Sequence, residues 1–304
     1  MIVEHFLHTE IDKPKWNQAL QQSHNSMVYA NSWYLDAMCP YWEALIIGNY
    51  QYIMPLPIKS KFGIKYIYQP FLTAQLGIFS SSSISIAVVD AFFKVLPTIA
   101  KYAVYDCNYA CPLPQKNCIV RQNFILNLNG ITYAQIKKNY NRLATRKINK
   151  AINAGLIITE KITATQILEL CITDIILKQI DYAPHVFNDA KIMLFAAQHN
   201  ATLKTIAAVD NSNNIVASIA YIIYNGRIFS LIAGNILAAK NYGAFYFVLD
   251  ALLKKYANTN YTFDFEGSDI EGIAFVFKNL GGQPQPFFNY KHNNLPFPLN
   301  KIKK

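Results

Sequence analysis

Two carboxylates, Asp264 and Glu266, stand two residues apart in Phe263-Asp264-Phe265-Glu266-Gly267-Ser268, at the end of a strand-like run and beside a helix start. On an extended strand that spacing puts both on one face. A carboxylate so placed can take a proton from an attacking group. It can equally accept backbone amides, and for Glu266 a pairing with Lys278 is a further reading. A second feature is cationic. Tyr133 to Gly155 holds Lys137, Lys138, Arg142, Arg146, Lys147 and Lys150 without one acid. Lys138, Arg142, Arg146 and Lys150 recur every four residues, a stripe along one helix face whose like charges repel by about 0.2–0.5 kcal/mol per pair. An anionic partner relieves that repulsion; a solvated basic face has no such partner.

Other chemistries find no pattern to rest on. The six histidines make no H-x-x-x-H pair, so a metal is not indicated. No G-x-S-x-G, P-loop or Cys–His constellation occurs, and no Gly-rich turn follows a strand as dinucleotide binding requires. Five cysteines without a CxxC point to a reduced compartment; Cys107, Cys111 and Cys118 cluster at no zinc spacing and read as buried thiols.

The elements that must position these residues come from a chain of 304 residues, long enough for two domains sharing an interface. With 52% hydrophobic and 15% charged residues it has the apolar surface for large cores and too little charge for disorder. The net charge of +10 favours polyanionic partners: nucleic acid, phosphate-bearing cofactors or an anionic membrane surface. Met1 to Trp16 carries Glu4, Glu10, Asp12 and Lys13 and lacks the apolar run of a signal peptide, while Ile84 to Tyr105 is broken by Asp90, Lys94 and Lys101. The expectation is a cytoplasmic protein with no transmembrane segment.

The fold class expected is α/β, with one order of elements used twice. In the first half, Trp42–Ile47 and Tyr50–Leu56 flank Gly48-Asn49 as a hairpin. A strand at Ile64–Gln69 follows, then an irregular step from Pro70 to Ser83. Val88, Phe92, Val95 and Ile99 then recur at helical spacing, with Pro97 set to kink or shorten the helix. Strands at Tyr102–Cys107 and Gln122–Leu128 close the half. The second half repeats this: a hairpin of Leu203–Val209 and Ile215–Tyr224, a strand at Arg227–Ala233, an irregular step, and a helix over Gly243–Ala257. A strand at Tyr261–Phe265, a capping box at Ser268–Glu271 opening a helix, and a strand at Gln285–Tyr290 complete it. A helix at Thr165–Lys178 precedes the second hairpin.

Asn141-Arg142 through Arg146-Lys147-Ile148-Asn149-Lys150-Ala151, with Gly155, resembles the basic helix of FemAB/FemX-type peptidyltransferases. So do Phe263–Ser268, Gly272-Ile273-Ala274 and Phe277-Lys278-Asn279-Leu280-Gly281. Pro55-Leu56-Pro57, Tyr68-Gln69-Pro70 and Gln75-Leu76-Gly77 resemble uncharacterised bacterial relatives. The resemblance implies two tandem GNAT-like N-acyltransferase domains with mixed sheets flanked by helices, residues 1–130 and 131–304, the second entered by the basic helix 133–155. It implies transfer of an acyl or aminoacyl group, from acyl-CoA or aminoacyl-tRNA, to a small-molecule or peptide amine in the cleft between the domains. Backbone donors for the carbonyl oxygen would come from Ile232, Gly234 and Asn235. The stretch Lys240-Asn241-Tyr242-Gly243-Ala244-Phe245 stands where simpler members carry the pyrophosphate loop Q/R-x-x-G-x-G/A. Only one glycine remains there, the leading residue is Lys, and Phe245 replaces a small residue, a departure that weighs against acyl-CoA. Tyr68, Gln69 and Gln75 would line the acceptor groove, Glu266 or Asp264 would serve as base, and Arg142, Arg146, Lys147 and Lys278 would meet phosphates. The alternative reading is a catalytically inactive protein of the same fold that holds RNA or another anionic ligand on the basic helix.

Overall fold

The computed structural model describes residues 1–112, 118–177, 185–200, 202–236, 241–266 and 271–302. Its sheets are mixed and flanked by helices, as the doubled order of elements predicts. Two compact units emerge, Met1–Arg121 with Pro286–Lys304, and Gln122–Gln285. Against the boundary expected at residue 130, the first division falls at Arg121, and the C-terminal stretch clusters with the first unit.

In the first unit, β1 (Val3–Phe6), β2 (Glu43–Ile47), β3 (Tyr52–Leu56) and β6 (Phe79–Ser80) form an antiparallel sheet in the order 1-2-3-6. The β2–β3 hairpin turns at the predicted Gly48-Asn49, with Gly48 at φ +63°. Helices α1 (Lys13–Gln22) and α2 (Ser32–Met38) belong to this unit, and Trp16 of α1 packs on Trp42 with ring centroids 4.8 Å apart, both fully buried. A second hairpin, β4 (Ile58–Lys61) with β5 (Ile64–Ile67), sets β5 parallel to β7 (Tyr102–Cys107). The connection passes through α3 (Ile86–Ile99), whose Ser85 side chain caps the Val88 amide. Pro97 lies inside α3, which ends two residues later, so the proline sits near the helix end without breaking its middle. On its other side β7 pairs with β14 (Gln283–Asn293) over Phe288–Asn293. The cysteine cluster lies here: Cys107 and Cys111 are buried, and burial pushes the Cys111 thiol up to about 12.

The sheet of the second unit runs β8 (Cys118–Asn127), β13 (Thr262–Asp264), β12 (Arg227–Asn235), β11 (Ile215–Tyr224), β10 (Leu203–Val209), β9 (Ile157–Thr159). Every pairing is antiparallel except β12 with β13, which are joined across α8 (Ala244–Lys255). The core sets Val248, Leu249 and Leu252 of α8 and Ala144 and Ile148 of the basic helix against Ile219, Tyr221, Ile228 and Phe263 of the sheet. Burial of each large apolar side chain contributes about 1.5–3 kcal/mol. The contiguous basic helix expected over 133–155 is in fact two, α4 (Tyr133–Lys138) and α5 (Arg142–Asn153). Asn141 starts a new helix by accepting the Ala144 amide at 2.8 Å, so the basic stripe reduces to Arg142, Arg146 and Lys150. Helix α6 (Ala164–Leu177) matches its prediction; α7 (His185–His199) was not foreseen. Helix α9 (Glu271–Asn279) follows the expected capping box, of which Ser268 lies outside the described residues.

Candidate functional site in the second unit

Strands β12 and β13 pair only over Arg227↔Thr262, Ile228↔Phe263 and Phe229↔Asp264. Beyond that point Phe265 donates its amide to Phe124 of β8, whereas β12 continues beside β11 to Asn235. The parallel pair therefore forks. At the fork β12 carries a bulge: Tyr221 faces Ser230 and Ala220 faces Ile232, leaving Leu231 as the extra residue. A bulge breaks the ladder locally and re-aims backbone groups. The sequence reading put candidate donors at Ile232 to Asn235 and did not foresee the bulge at Ser230 and Leu231, because the two-against-one register is set by the pairing and leaves no residue-type signal. Gly234 serves another purpose. A Cβ there would stand 2.8 Å from the Cys171 amide nitrogen of α6, so this glycine admits a helix packed on the sheet. Asn235 follows it with a buried Oδ1 that has no hydrogen-bond partner among the described residues.

Across the fork, Glu266 sits at φ +69°, a left-handed conformation costly for a residue with a side chain. Its amide donates to Asp264 Oδ1 at 2.9 Å. Asp264 is 2% exposed; it also accepts from Asn123 Nδ2 at 2.9 Å and from Arg227 Nε at 2.7 Å, and Arg227 extends to Gln285 Oε1 at 2.6 Å. Removing one partner from a buried, hydrogen-bonded ion pair of this kind costs about 3–5 kcal/mol. The two candidate carboxylates thus separate in role. Asp264 is committed to holding the backbone, and the backbone it holds is that of Glu266, which is half-buried at the fork. They do not share a strand face, since the chain leaves the extended conformation at Glu266.

Helix α8 starts at the same sheet end, because it follows the carboxyl end of β12 and leads to the parallel β13. Its cap is Gly243, left-handed at φ +74°, with the Lys147 carbonyl of α5 packed so close that a Cβ would lie 2.4 Å away. The single glycine retained from the phosphate-loop pattern is therefore spent on docking the basic helix, and Ala244 behind it is fully buried. Tyr242, exposed, has Lys150 Nζ 5.9 Å from its ring centre. Asn141, at the head of α5, donates to the Asn279 side chain and takes the Asn279 carbonyl on its amide at 3.0 Å; Asn279 in turn donates to Tyr246 of α8 at 2.9 Å. The structure thus joins the two segments that carried the resemblance, 138 residues apart, and brings Lys147 and Lys150 of α5 to the start of α8, with Arg142 and Arg146 exposed on the same helix. Among the described residues none of Arg142, Arg146 and Lys150 pairs with a carboxylate.

The remaining candidates fall elsewhere. Lys278 is exposed on α9 with its Nζ 5.5 Å from the Phe124 ring centre. Asn241 is exposed next to Tyr242, and Lys240 lies outside the described residues. Tyr68, Gln69 and Gln75 belong to the first unit, where Tyr68 donates to the Met38 carbonyl at 3.3 Å. The two glutamines are turned to their own chain: Gln69 Oε1 accepts the Asp106 amide and Gln75 Oε1 the Tyr109 amide, both at 3.0 Å, with Gln75 only 1% exposed. A groove-lining role is not how these amides are used.

Comparison with solved structures gives the fold. FemX superimposes with a TM-score of 0.67 over 100% of both chains at 10% identity. The chain has the FemX fold. A conserved protein of unknown function from Bacteroides thetaiotaomicron shares it, with a TM-score of 0.58 over 92% of this chain and 97% of the other at 12% identity. No protein-family model matches the sequence, and no curated protein does. Among the described residues no helix is long and apolar enough to cross a membrane.

Proposed function

We propose that this FemX-fold chain is an N-acyl or aminoacyl transferase whose chemistry takes place at the β12–β13 fork. One observation carries the reading: the parallel pair stops at Phe229↔Asp264, just before a bulge over Ser230–Ile232 on one strand and two residues before a glutamate in a strained left-handed backbone on the other. An amine attacking an ester or thioester must lose a proton, and charge gathers on the carbonyl oxygen. Bulge amides are donors of the kind that stabilise such charge. Glu266 would accept the amine's proton, and the Asn123–Asp264–Arg227 network would fix its backbone. The space beside Gly243 that a Cβ would take is filled by the Lys147 carbonyl, which weighs against this glycine serving as a close contact for pyrophosphate. The donor's phosphates would fall to Arg142, Arg146 and Lys150, an arrangement suited to a polyanionic donor such as charged tRNA more than to acyl-CoA.

The test is mass spectrometry of candidate amines, small molecules and peptides, after incubation with the protein and either acyl-CoA mixtures or charged tRNA. Acyl transfer from charged tRNA that Glu266→Gln lowers by about 10²–10⁴-fold is the expected result. Tight donor binding without any transferred acyl group would replace the enzyme by a binding protein of the same fold.

A further inference from the structure

At one end of the β4–β5–β7–β14 sheet of the first unit, two separate chain segments present the same pairing of groups. The β4–β5 hairpin tip exposes Phe62 at 91%, with Lys61 Nζ 5.7 Å from its ring centre. The segment after β14 exposes Phe297 at 75%, with Lys301 Nζ 5.6 Å from its ring centre. Register places these segments at a common edge. Lys101, just before β7, donates its amide to the Lys65 carbonyl at 3.1 Å, and Asn294, just after β14, donates to the Lys101 carbonyl at 2.7 Å. From hairpin tip to the end of β14 is about three strand spacings, roughly 15 Å. Asn293 ties the following turn down by donating to the Asn300 carbonyl at 3.0 Å, and Leu299 there is also exposed.

Charge at this edge has one sign. Residues 57–67, 98–105 and 286–302 contain no Asp or Glu. Among the described residues the carboxylates that meet them are Glu43, at 2.7 Å from Lys65, and Asp106, which accepts from Asn289 at 2.8 Å near the far end of β7. Lys61, Lys101 and Lys301 are all exposed. Phe62 also stands at φ +52°, where an aromatic residue is strained and glycine would not be. A costly backbone at the most exposed large apolar side chain among the described residues argues for use of that side chain rather than accident. Each of the two phenylalanines is accompanied by a lysine near its ring. Aromatic side chains flanked by lysines that can extend toward phosphates match the boundary layer of a bilayer.

We propose that this edge docks the protein on an anionic lipid surface, Phe62 and Phe297 entering the headgroup layer and Lys61, Lys101 and Lys301 meeting lipid phosphates. The inference lies outside the transfer reading and uses none of its residues, so either can fail without the other.

Cosedimentation with vesicles of phosphatidylcholine alone, or phosphatidylcholine mixed with phosphatidylglycerol, tests it. Partition onto the mixed vesicles, weakened by salt, is expected. Phe62→Ala with Phe297→Ala should lower it about tenfold or more. Lys61→Gln, Lys101→Gln and Lys301→Gln together should lower it about a hundredfold, near fivefold per lysine. Arg142→Ala with Arg146→Ala should leave it unchanged. These positions are exposed, and unchanged thermal midpoints would show the variants folded; Phe62→Ser alone, at the hairpin tip, gives a second reading. No partition above that on pure phosphatidylcholine would overturn the proposal. So would partition indifferent to both phenylalanines, or binding of a soluble oligonucleotide through these same lysines with no vesicle binding.

Discussion

The two units each contain a parallel strand pair linked through a helix, β5–α3–β7 and β12–α8–β13, and they treat the opening between the strands in opposite ways. In the first, pairing stops at Ile67↔Ala103, but the chain comes back: Leu76 bridges Cys107, donating to the Asp106 carbonyl at 2.7 Å and accepting the Asn108 amide at 2.8 Å. Gln69, Gln75 and Asn108 side chains add further hydrogen bonds, so the mouth is stitched by its own chain. In the second, pairing stops at Phe229↔Asp264, and what stands at the opening is a bulge, a strained glutamate and the start of a helix flanked by cations. Among the described residues, one topology carries a bridging segment in one unit and none in the other. The proposed chemistry is assigned to the fork that no such segment bridges.

The largest effect should come from setting the two forks against each other. Glu266→Gln should reduce transfer by about 10²–10⁴-fold with little change in thermal midpoint. Gln75→Ala should do the reverse, costing about 1–3 kcal/mol because the Tyr109 amide loses its partner in a buried site, with the rate per folded molecule retained. Equal rates for the two variants would erase the distinction between the forks.

A second contrast uses two glycines with the same φ of +74°, Gly243 and Gly63. Around Gly63 nothing lies within 4 Å of an added Cβ, while at Gly243 the Lys147 carbonyl is 2.4 Å away. Gly63→Ala should therefore cost only the left-handed penalty, about 1–2 kcal/mol. Gly243→Ala adds overpacking and should cost about 3 kcal/mol or more, since α5 must shift. Urea midpoints for both variants decide it. Similar costs would mean that α5 is not pressed onto the start of α8.

Smaller still is the charge effect. Arg142→Ala with Arg146→Ala should reduce the salt slope of polyanion binding by about 2, one for each lost phosphate contact, while Lys61→Gln with Lys101→Gln should leave it alone. A slope unmoved by the arginines would take α5 out of ligand binding.

Much of this contrast could be read in the residues, and the limits have physical reasons. Turn chemistry at Gly48-Asn49 located the β2–β3 hairpin, and the runs Leu203–Val209, Ile215–Tyr224 and Arg227–Ala233 fall on β10, β11 and β12 to within two residues. The cationic run was visible as composition; its break at Asn139-Tyr140-Asn141 was not, because the cap depends on where the Asn141 side chain turns. Short strands such as β9 depend on a neighbour for their pairing and leave little periodicity of their own. The site showed the same division. Glu266 was legible as a polar residue at a strand end, whereas its backbone strain, the Leu231 bulge and the Asn141–Asn279 contact arise only when distant segments meet.

The final contrast is in acid response. In the first unit burial pushes His292 below its ordinary 6.5, only partly offset by its bond to the Ala100 carbonyl. The unfolded chain therefore takes the proton first, and stability falls as pH drops below 6.5, down to the lowered native value. In the second unit burial pushes Asp250 above its ordinary 3.8, although the Tyr133 and Tyr140 hydroxyls donate to it and Lys137 and Lys254 lie near. There the unfolded chain ionises first, so stability falls as pH rises from 3.8 to the raised native value. Each single-site slope is at most about 1.4 kcal/mol per pH unit, with opposite signs. Trp16, Trp33 and Trp42 all lie in the first unit, so tryptophan fluorescence follows it alone, while far-UV circular dichroism follows both. Urea midpoints of wild type minus His292→Phe should shrink toward acid, and those of wild type minus Asp250→Asn should grow toward acid. Both differences moving in the same direction would show that one of these two buried groups is not held in the protonation state its surroundings favour.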